Sequence, residues 1–362
     1  MRQLVLWTNM YPTRLAPYYG TFVRSTEQAW RKSLGAENVQ LVAIRDKPVG
    51  ALQKIYFYAE LMIKCFLSIY RNPKGAILEI HYPVYFLPVL YAAKIFKRRN
   101  YLVLRFHGND LKQIINSKFF MYLYRSIKSQ VDLYVVPSDF YREKVSKNLK
   151  VPIERVIKVF PDCVGAEFAD TSLDKPANDS ERFVLGFVSR LERKKNCHEL
   201  IEAFAKLKIP NAHLVIAGDG SQRKNLEDLA EERGVSSSVT FLGAVPRERL
   251  PNIMSQFSVF IFPSVSKTES FGLVAIEALA CGAPVIANEQ LEAASEYLEV
   301  DRNGYYYSGG VEGLCHAIET FYALAGSKKI ALATHARTVV QRFDYDRVFT
   351  RGVEKILSSL NR

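Results

Sequence analysis

The stretch Lys267-Thr-Glu269-Ser-Phe-Gly-Leu-Val-Ala-Ile-Glu277-Ala-Leu-Ala-Cys-Gly282-Ala-Pro284 sets two carboxylates around the start of an apolar helix. A short strand-like run, Val259–Phe262, ends at Pro263. Ser270 can cap a helix beginning near Phe271, and Gly282 and Pro284 stop it. The first N–H groups of a helix lack intrahelical partners, so those of Phe271, Gly272 and Leu273 would point toward an anion. Gly272 lets a ligand come close to the backbone. Glu277 is the only charge between Phe271 and Gly282, and a lone carboxylate in so apolar a helix is costly unless satisfied. It lies roughly 9 Å along the axis from Phe271, at ~1.5 Å per residue. One carboxylate can thus meet a sugar ahead of a phosphate and the other a ribose behind it. The spacing equally allows Glu269 as a favourable first-turn charge and Glu277 as the partner of a buried base.

A second constellation is Phe183-Val-Leu-Gly-Phe-Val-Ser-Arg190-Leu-Glu-Arg-Lys-Lys195-Asn. An apolar strand delivers Arg190 to its carboxyl end, and Lys195 is expected to open the next helix. Cations there oppose the helix dipole, which makes sense if a multiply charged anion lies between them. Arg193 and Lys194 read as a solvated basic turn. Leu214-Val-Ile-Ala-Gly218-Asp-Gly220-Ser-Gln-Arg223 resembles a dinucleotide fingerprint but has Arg223 in place of the third glycine, so it is a weak dehydrogenase signal and a plausible tight turn near a nucleotide. Toward the N-terminus, Tyr18-Tyr-Gly20-Thr-Phe22 follows the first strand. Its glycine either admits a diphosphate or makes a plain turn. Arg105-Phe-His107-Gly-Asn-Asp110 ends another strand and places His107 to face a cleft, while His81, followed by Tyr82-Pro83, reads as packing or secondary positioning. No His, Cys or Asp cluster has a metal spacing, and no GxSxG elbow or Walker loop is present.

These residues need a scaffold that brings strand ends together. Strands are expected at 3–8, 39–44, 76–80, 101–106, 132–136 and 156–160, with helices at 21–34, 51–71, 84–98, 111–129 and 138–148 between them. The alternation restarts after 181 with strands at 182–189, 212–217, 238–242, 258–262 and 284–287. Helices fall at 196–207, 221–233, 246–256, 271–281, 310–325, 328–341 and 345–360. Such alternation predicts parallel sheets covered by helices on both faces. Residues 161–181, rich in Pro, Asp, Ala and Ser, read as a linker. The expected architecture is α/β, with two doubly wound domains facing a cleft and ligands beyond the carboxyl ends of the strands.

The 362 residues carry a net charge of +12, and its distribution is uneven. Residues 1–150 hold 24 Lys and Arg against 9 Asp and Glu, and the remainder 25 against 28. A basic half is drawn to anionic lipid, nucleic acid or charged glycan, or is simply a solubilising surface. The few aromatics among its basic clusters speak against nucleic acid. Five widely spaced cysteines, none in a CxxC pair, speak against a disulfide framework or zinc ribbon and suggest a reducing compartment. No leader is expected. The apolar stretches 55–70 and 80–96 are interrupted by Glu60 and Lys64, and by Pro83, Pro88 and Lys94, so neither reaches the ~18 apolar residues of a membrane span. Helix 84–98 ends in Lys94, Lys97, Arg98 and Arg99 beside Phe86, Leu90 and Phe96. It is either a membrane-facing amphipathic element or an ordinary helix packed on the sheet.

Together these motifs resemble those of retaining nucleotide-sugar glycosyltransferases of family 4, which have the GT-B fold. The resemblance rests on Glu269 and Glu277 in a Glu-x7-Glu motif, Arg190 and Lys195 in Arg-Leu-x3-Lys, and the Gly-Asp-Gly turn. The Phe-Leu-Gly of 241–243, the N-terminal glycine loop and the His-Gly-x-Asp of 107–110 complete it. It is dense over 182–290 and sparser over 1–150. It implies that Arg190 and Lys195 neutralise the departing diphosphate and Glu277 holds the ribose hydroxyls. Glu269, with the backbone of Phe271, Gly272 and Leu273, would hold the sugar. It further implies that Gly20, Thr21 and Gly218 lie near the donor, that Val245 and Leu250 wall the base, and that His107 lies near the reacting centre. The implied domains are an acceptor-side domain 1–160, a linker 161–181, a donor-binding domain 182–344 and a final helix 345–362 crossing back. The implied activity is hexosyl transfer with retention to a glycan or lipid-linked acceptor in bacterial-type surface polysaccharide or lipopolysaccharide synthesis. The enzyme would need no metal or cofactor beyond its nucleotide-sugar co-substrate, and would work in the cytoplasm on the inner face of an anionic membrane. A GT-B nucleotide-sugar epimerase is the rival enzyme, and a non-catalytic nucleotide or nucleic-acid binder the rival of another class. Ser189, Asn196 and Asp162-Cys-Val-Gly165 replace the family's usual residues before Arg-Leu, after the lysine and at the linker.

Overall fold

The computed structural model describes residues 2–13, 16, 19–44, 46, 48–94, 100–168, 182–265 and 271–361. Glu269, Tyr18 and most of the expected linker lie outside them. The chain divides into two units, Met1–Cys163 with Tyr345–Arg362, and Val164–Asp344.

The first unit is built on strands β1 (Leu4–Thr8), β2 (Val39–Ala43), β3 (Ile77–His81), β4 (Tyr101–Arg105), β5 (Val131–Val136) and β6 (Val156–Lys158). They form a parallel sheet in the order β2-β1-β3-β4-β5-β6. The helices are α1 (Thr21–Leu34), α2 (Ala51–Arg71), α3 (Leu87–Ala93), α4 (Asn109–Asn116), α5 (Lys118–Ile127) and α6 (Asp139–Leu149). Every residue of β1 and β3 is buried, as expected where helices cover both faces of a parallel sheet. The order reverses between β1 and β3. The crevice at that switch point is where such sheets take ligands, and it receives Gly20 after β1 and His81 at the end of β3.

The second unit repeats the plan with β7 (Phe183–Val188), β8 (Ala212–Ala217), β9 (Val239–Gly243), β10 (Val259–Phe262), β11 (Val285–Asn288) and β12 (Gly304–Tyr307). The parallel order is β12-β11-β10-β7-β8-β9. Its helices are α7 (Cys197–Lys206), α8 (Arg223–Glu232), α9 (Leu250–Met254), α10 (Leu273–Ala280), α11 (Gly310–Ala323) and α12 (Gly326–Val339). Here the order reverses between β7 and β10. That puts the Arg190 turn beside the loop leading to α10, and Ser264 Oγ donates to Lys194 O across 3.4 Å. The final helix, α13 (Arg351–Leu360), belongs to the first unit, where Lys355 Nζ donates to Lys158 O at 3.1 Å.

Several expectations need correction. The stretch 111–129 is two helices, because Ser117 is extended and caps the second by accepting from Phe120 N at 3.3 Å. Helix 84–98 is a turn at Pro83–Phe86 followed by the short α3. Phe86 and Leu90 lie in the core rather than on a surface, so that helix packs on the sheet; its basic end at 95–99 lies outside the described residues. Strand β12 has no counterpart among the expected strands. Gly304 has no room for a side chain, since a Cβ would come 2.0 Å from Val285 O; Tyr305–Tyr307 is a strand-favouring run, but a short one that opens on a glycine. The second unit starts at Val164, inside the expected linker. Val164 N donates to Phe343 O at 3.0 Å, and Phe168 is fully buried. No helix among the described residues is long and apolar enough to cross a membrane.

Candidate functional site

In the second unit the turns after β7 and β8 are knitted together. Ser189 N donates to Ala217 O (3.0 Å) and Leu191 N to Asp219 O (2.9 Å). Gly218 has φ of 135°, and a Cβ there would stand 1.8 Å from Ser189 O, so this approach requires glycine. The Gly-Asp-Gly turn serves close packing, which explains why it departs from a dinucleotide fingerprint. The ends of β7, β8 and β9 surround a cavity of about 270 Å³ lined in part by Val188, Arg190, Gly218, Asp219, Val245 and Leu250. Four of the expected donor residues thus share one cavity.

Arg190 stands at its mouth, largely exposed, with Nη1 2.7 Å from Glu192 Oε1; Lys194 Nζ takes the other oxygen at 2.9 Å. The Lys194 hydrogen bond holds the Glu192 carboxyl below its ordinary range, with Arg190 adding to it against the opposing effect of burial. Lys195 does not open α7. It ends a short turn, and Asn196 follows in the left-handed conformation (φ 59°) before the helix starts at Cys197. Asparagine tolerates that conformation better than other side chains do, so the replacement of the family's glycine keeps the turn.

Helix α10 begins at Leu273, later than expected. Gly272 precedes it with φ of 88°, and a Cβ there would lie 2.7 Å from both Phe262 Cε1 and Tyr297 Oη. Phe271 is buried edge-on against Tyr297 and Phe343, with ring centroids 6.1 and 5.7 Å away. Its ring anchors the helix entry and leaves only its backbone for a ligand. Glu277 is buried and has Arg247 Nη2 2.6 Å from its Oε1. The same guanidinium reaches Glu167 Oε1 at 3.3 Å and lies 5.2 Å from the centre of the Phe168 ring. Glu277 thus has a basic partner, the half-buried Arg247, a pairing compatible with a ribose contact. Glu269 lies outside the described residues.

In the first unit, Gly20 has φ of 76° and no space for a Cβ, which would sit 2.7 Å from Met10 O. Thr21 begins α1, and Phe22 places its ring 4.7 Å from that of His107. Gly20, Thr21 and His107 therefore belong to one neighbourhood. Behind it lies a buried ionic cluster. Glu79 accepts from Arg105 Nε at 2.6 Å and Trp30 Nε1 at 2.5 Å, and His81 Nε2 stands 3.5 Å away. Burial raises the Glu79 carboxyl, but Arg105 and then His81 outweigh it and bring it to about 2. His107 Nε2 is 3.1 Å from His81 Nδ1. Burial lowers both imidazoles, and His81 and Arg105 push His107 further down. Asp110 accepts the backbone N–H groups of His107, Gly108 and Leu111 at 3.0, 2.9 and 2.9 Å. Burial pushes its carboxyl up to about 6 against those bonds. Glu79 and Arg247 carry these arrangements, and sequence reasoning singles out neither. Glu79 has a readable signal, a lone acid inside the apolar run Ala76–Ile80, on the same strand face as His81.

Two parallel sheets, each with a switch-point crevice, define a GT-B fold, and the comparison with solved structures agrees. Anabaena HepE in complex with UDP and glucose superposes with a TM-score of 0.75 at 20% identity, over 99% of this chain and 100% of that one. Residues 169–332, within the second unit, match the model of the family Glycosyl transferases group 1. An uncharacterized glycosyltransferase of Methanocaldococcus jannaschii is 33% identical over 172 residues, 47% of this chain and 43% of the relative. A D-inositol 3-phosphate glycosyltransferase of Corynebacterium urealyticum is 44% identical over 113 residues, 29% of this chain and 26% of the relative. The chain spans less than half the length of these curated relatives.

Proposed function

We propose that this protein transfers a hexose from a nucleoside diphosphate sugar to a glycan or glycolipid acceptor, with retention of anomeric configuration, in bacterial-type surface polysaccharide or lipopolysaccharide synthesis. The observation that carries this is the cavity at the ends of β7, β8 and β9 with Arg190 at its mouth, in a segment that matches group 1 glycosyltransferases. In this reading Val245 and Leu250 flank the base, and Glu277 receives the ribose hydroxyls. Glu269 and the α10 entry hold the sugar. Arg190 and Lys195 stabilise the charge that develops on the leaving diphosphate. No carboxylate is assigned as a nucleophile. The acceptor hydroxyl attacks the face that the diphosphate leaves, guided by the leaving group.

A membrane-borne acceptor is part of the proposal, and it has a surface other than the one expected. Helix α2 has two apolar faces. Phe57, Leu61, Cys65 and Ile69 are in the core, whereas Leu52 (85% exposed), Ile55, Tyr56, Ile63 and Leu67 face solvent. An apolar stripe on a strongly basic half fits the inner, anionic leaflet of a cytoplasmic membrane.

The test is a panel of UDP, GDP and ADP sugars, led by UDP-glucose, scored by thermal shift and then by transfer to isolated lipid-linked glycans. NMR of the product reads its anomeric configuration. Nucleoside diphosphate release that depends on acceptor is expected. Epimerisation or hydrolysis of donor at an undiminished rate without acceptor overturns the reading.

A further inference from the structure

We propose that Glu79 and His81 are positioning residues that fix His107 as its Nε2–H tautomer, so that Nδ1 is a hydrogen-bond acceptor for a saccharide hydroxyl. The hydroxyl rests on the transfer reading above; the tautomer does not.

The buried carboxylate sets the pattern. Arg105 Nε and Trp30 Nε1, which both donate to Glu79, carry fixed hydrogens. The third group facing it is His81 Nε2, 3.5 Å from Oε1. Both side chains are fully buried, and a nitrogen lone pair turned toward a carboxylate there would meet uncompensated repulsion. The proton of His81 therefore sits on Nε2. A neutral imidazole carries one N–H, so His81 Nδ1 is an acceptor. It faces His107 Nε2 at 3.1 Å. Two lone pairs cannot share that contact, so His107 Nε2 donates and its Nδ1 keeps the lone pair.

The surroundings hold this state. Both imidazoles are kept neutral by burial, and the Arg105 charge is spent on Glu79. The Asp110 carboxylate is occupied with backbone N–H groups, including that of His107, rather than with the ring. The His107 ring packs against Phe22 (4.7 Å, tilted by 47°) and Tyr82 (5.6 Å, within 9° of parallel). No hydrogen bond among the described residues uses Nδ1, and His107 is half-buried rather than sealed. A carboxylate thus sets the polarity of a two-histidine relay, and the outer histidine presents an acceptor that a hydroxyl can fill and an ammonium of fixed charge can also find. A relay with the opposite tautomers would present an N–H instead.

The decisive measurement is a long-range nitrogen–proton correlation spectrum of the full chain labelled with ¹⁵N-histidine, with the His107 signals assigned by their loss in His107→Gln. The expected result is an unprotonated Nδ1 and a protonated Nε2 at neutral pH. A protonated Nδ1, or a charged ring, overturns the proposal whatever the enzyme does. A kinetic pair tests the consequence. His81→Asn puts an amide oxygen where Nδ1 stands and keeps an acceptor for His107, whereas His81→Leu removes it. The Leu variant is expected to lose roughly tenfold in kcat/KM and the Asn variant to recover most of that, the scale of one hydrogen bond. Equal losses in two variants that melt alike overturn the assigned hydroxyl contact. Absence of transfer by the unmodified chain overturns the activity, with the spectrum still deciding the tautomer.

Discussion

Arg247 holds the buried Glu277 carboxylate with Nη2 2.6 Å from Oε1, while its other side rests on Glu167 and the Phe168 ring. The donor helix is thereby tied to the segment that opens the second unit. Removing the arginine takes a countercharge away from a carboxylate that is 4% exposed. Arg247→Ala is expected to lower stability in urea unfolding by about 1–3 kcal/mol, less than for a fully buried pair because the guanidinium is partly solvated. Glu277→Gln removes the charge along with its need for a partner, so its loss should be smaller. A larger loss from Glu277→Gln than from Arg247→Ala would contradict the pairing.

Glu192 competes for the cation that the proposed donor needs. Arg190 and Lys194 both bind it, yet Arg190 is 72% exposed, so the attachment is weak. Arg190→Ala and Lys195→Ala should each cut turnover by about 10²-fold, the scale of losing one group that stabilises the transition state. Glu192→Gln should act in the opposite direction, tightening nucleoside diphosphate binding a few-fold by releasing Arg190. Steady-state kinetics and calorimetric titration with UDP separate the effects. Normal turnover in both alanine variants would remove these cations from the mechanism.

The architecture was legible because buried parallel strands are apolar bursts separated by amphipathic helices. The strand at 212–217 is matched residue for residue by Ala212–Ala217, and helix 51–71 by Ala51–Arg71. Strand β12 escaped because its pairing depends on the close approach of Gly304 to Val285, a tertiary fact. Arg190, Gly218, Val245 and Leu250 come from three strand ends and meet in one cavity, as the alternation required. Arg247 escaped for the opposite reason. It is one of three charges in the run Arg247–Arg249, and nothing local marks which of them reaches a carboxylate from a distant helix.

The histidine relay carries a pH signature with a definite sign. His81 is fully buried, and burial lowers its folded value below the ordinary 6.5. Below that pH the unfolded chain binds a proton that the folded chain refuses, so this contribution is complete above about 6.5 and is lost as pH falls, with a slope of about 1.4 kcal/mol per pH unit. Asp110 works the other way. Its folded value near 6 exceeds the ordinary 3.8, so its folded form takes up a proton first on acidification. That term is common to the native chain and to His81→Asn and cancels between them. Urea midpoints at successive pH values from neutrality down to about 5 should therefore fall less steeply in His81→Asn. Parallel curves would mean that His81 titrates normally in the fold.

Two glycines that both have positive φ, 71° at Gly234 and 135° at Gly218, but different surroundings help to separate strain from crowding. Gly234 has φ of 71° and nothing within 4 Å of the point a Cβ would occupy, whereas at Gly218 the carbonyl of Ser189 is 1.8 Å away. Gly234→Ala should cost about 1 kcal/mol from the left-handed conformation alone. Gly218→Ala should cost about 1–3 kcal/mol more, because backbone must move. It should also abolish the thermal shift produced by UDP, since Ser189 and Gly218 line the same cavity. Similar melting and nucleotide response in both variants would show that the turn adapts at little cost.

The outward face of α2 gives the membrane proposal a specific handle. Leu52, Ile55 and Ile63 are exposed, so changing them leaves the packing of Phe57, Leu61 and Cys65 intact and should leave the melting temperature unchanged. Inserting such side chains into an interface gains roughly 1.5–3 kcal/mol for each one fully buried, and basic residues near an anionic surface add about 1 kcal/mol apiece at moderate salt. Vesicles containing phosphatidylglycerol should therefore carry the unmodified chain upward in a flotation gradient, neutral vesicles much less, and high salt should weaken the effect. The triple variant Leu52→Gln, Ile55→Gln, Ile63→Gln should lose more than tenfold in partitioning while its transfer to a soluble acceptor persists. Undiminished flotation of the triple variant would move the docking face elsewhere on the basic unit, and an unmodified chain that ignores anionic vesicles would leave the acceptor to be sought in solution.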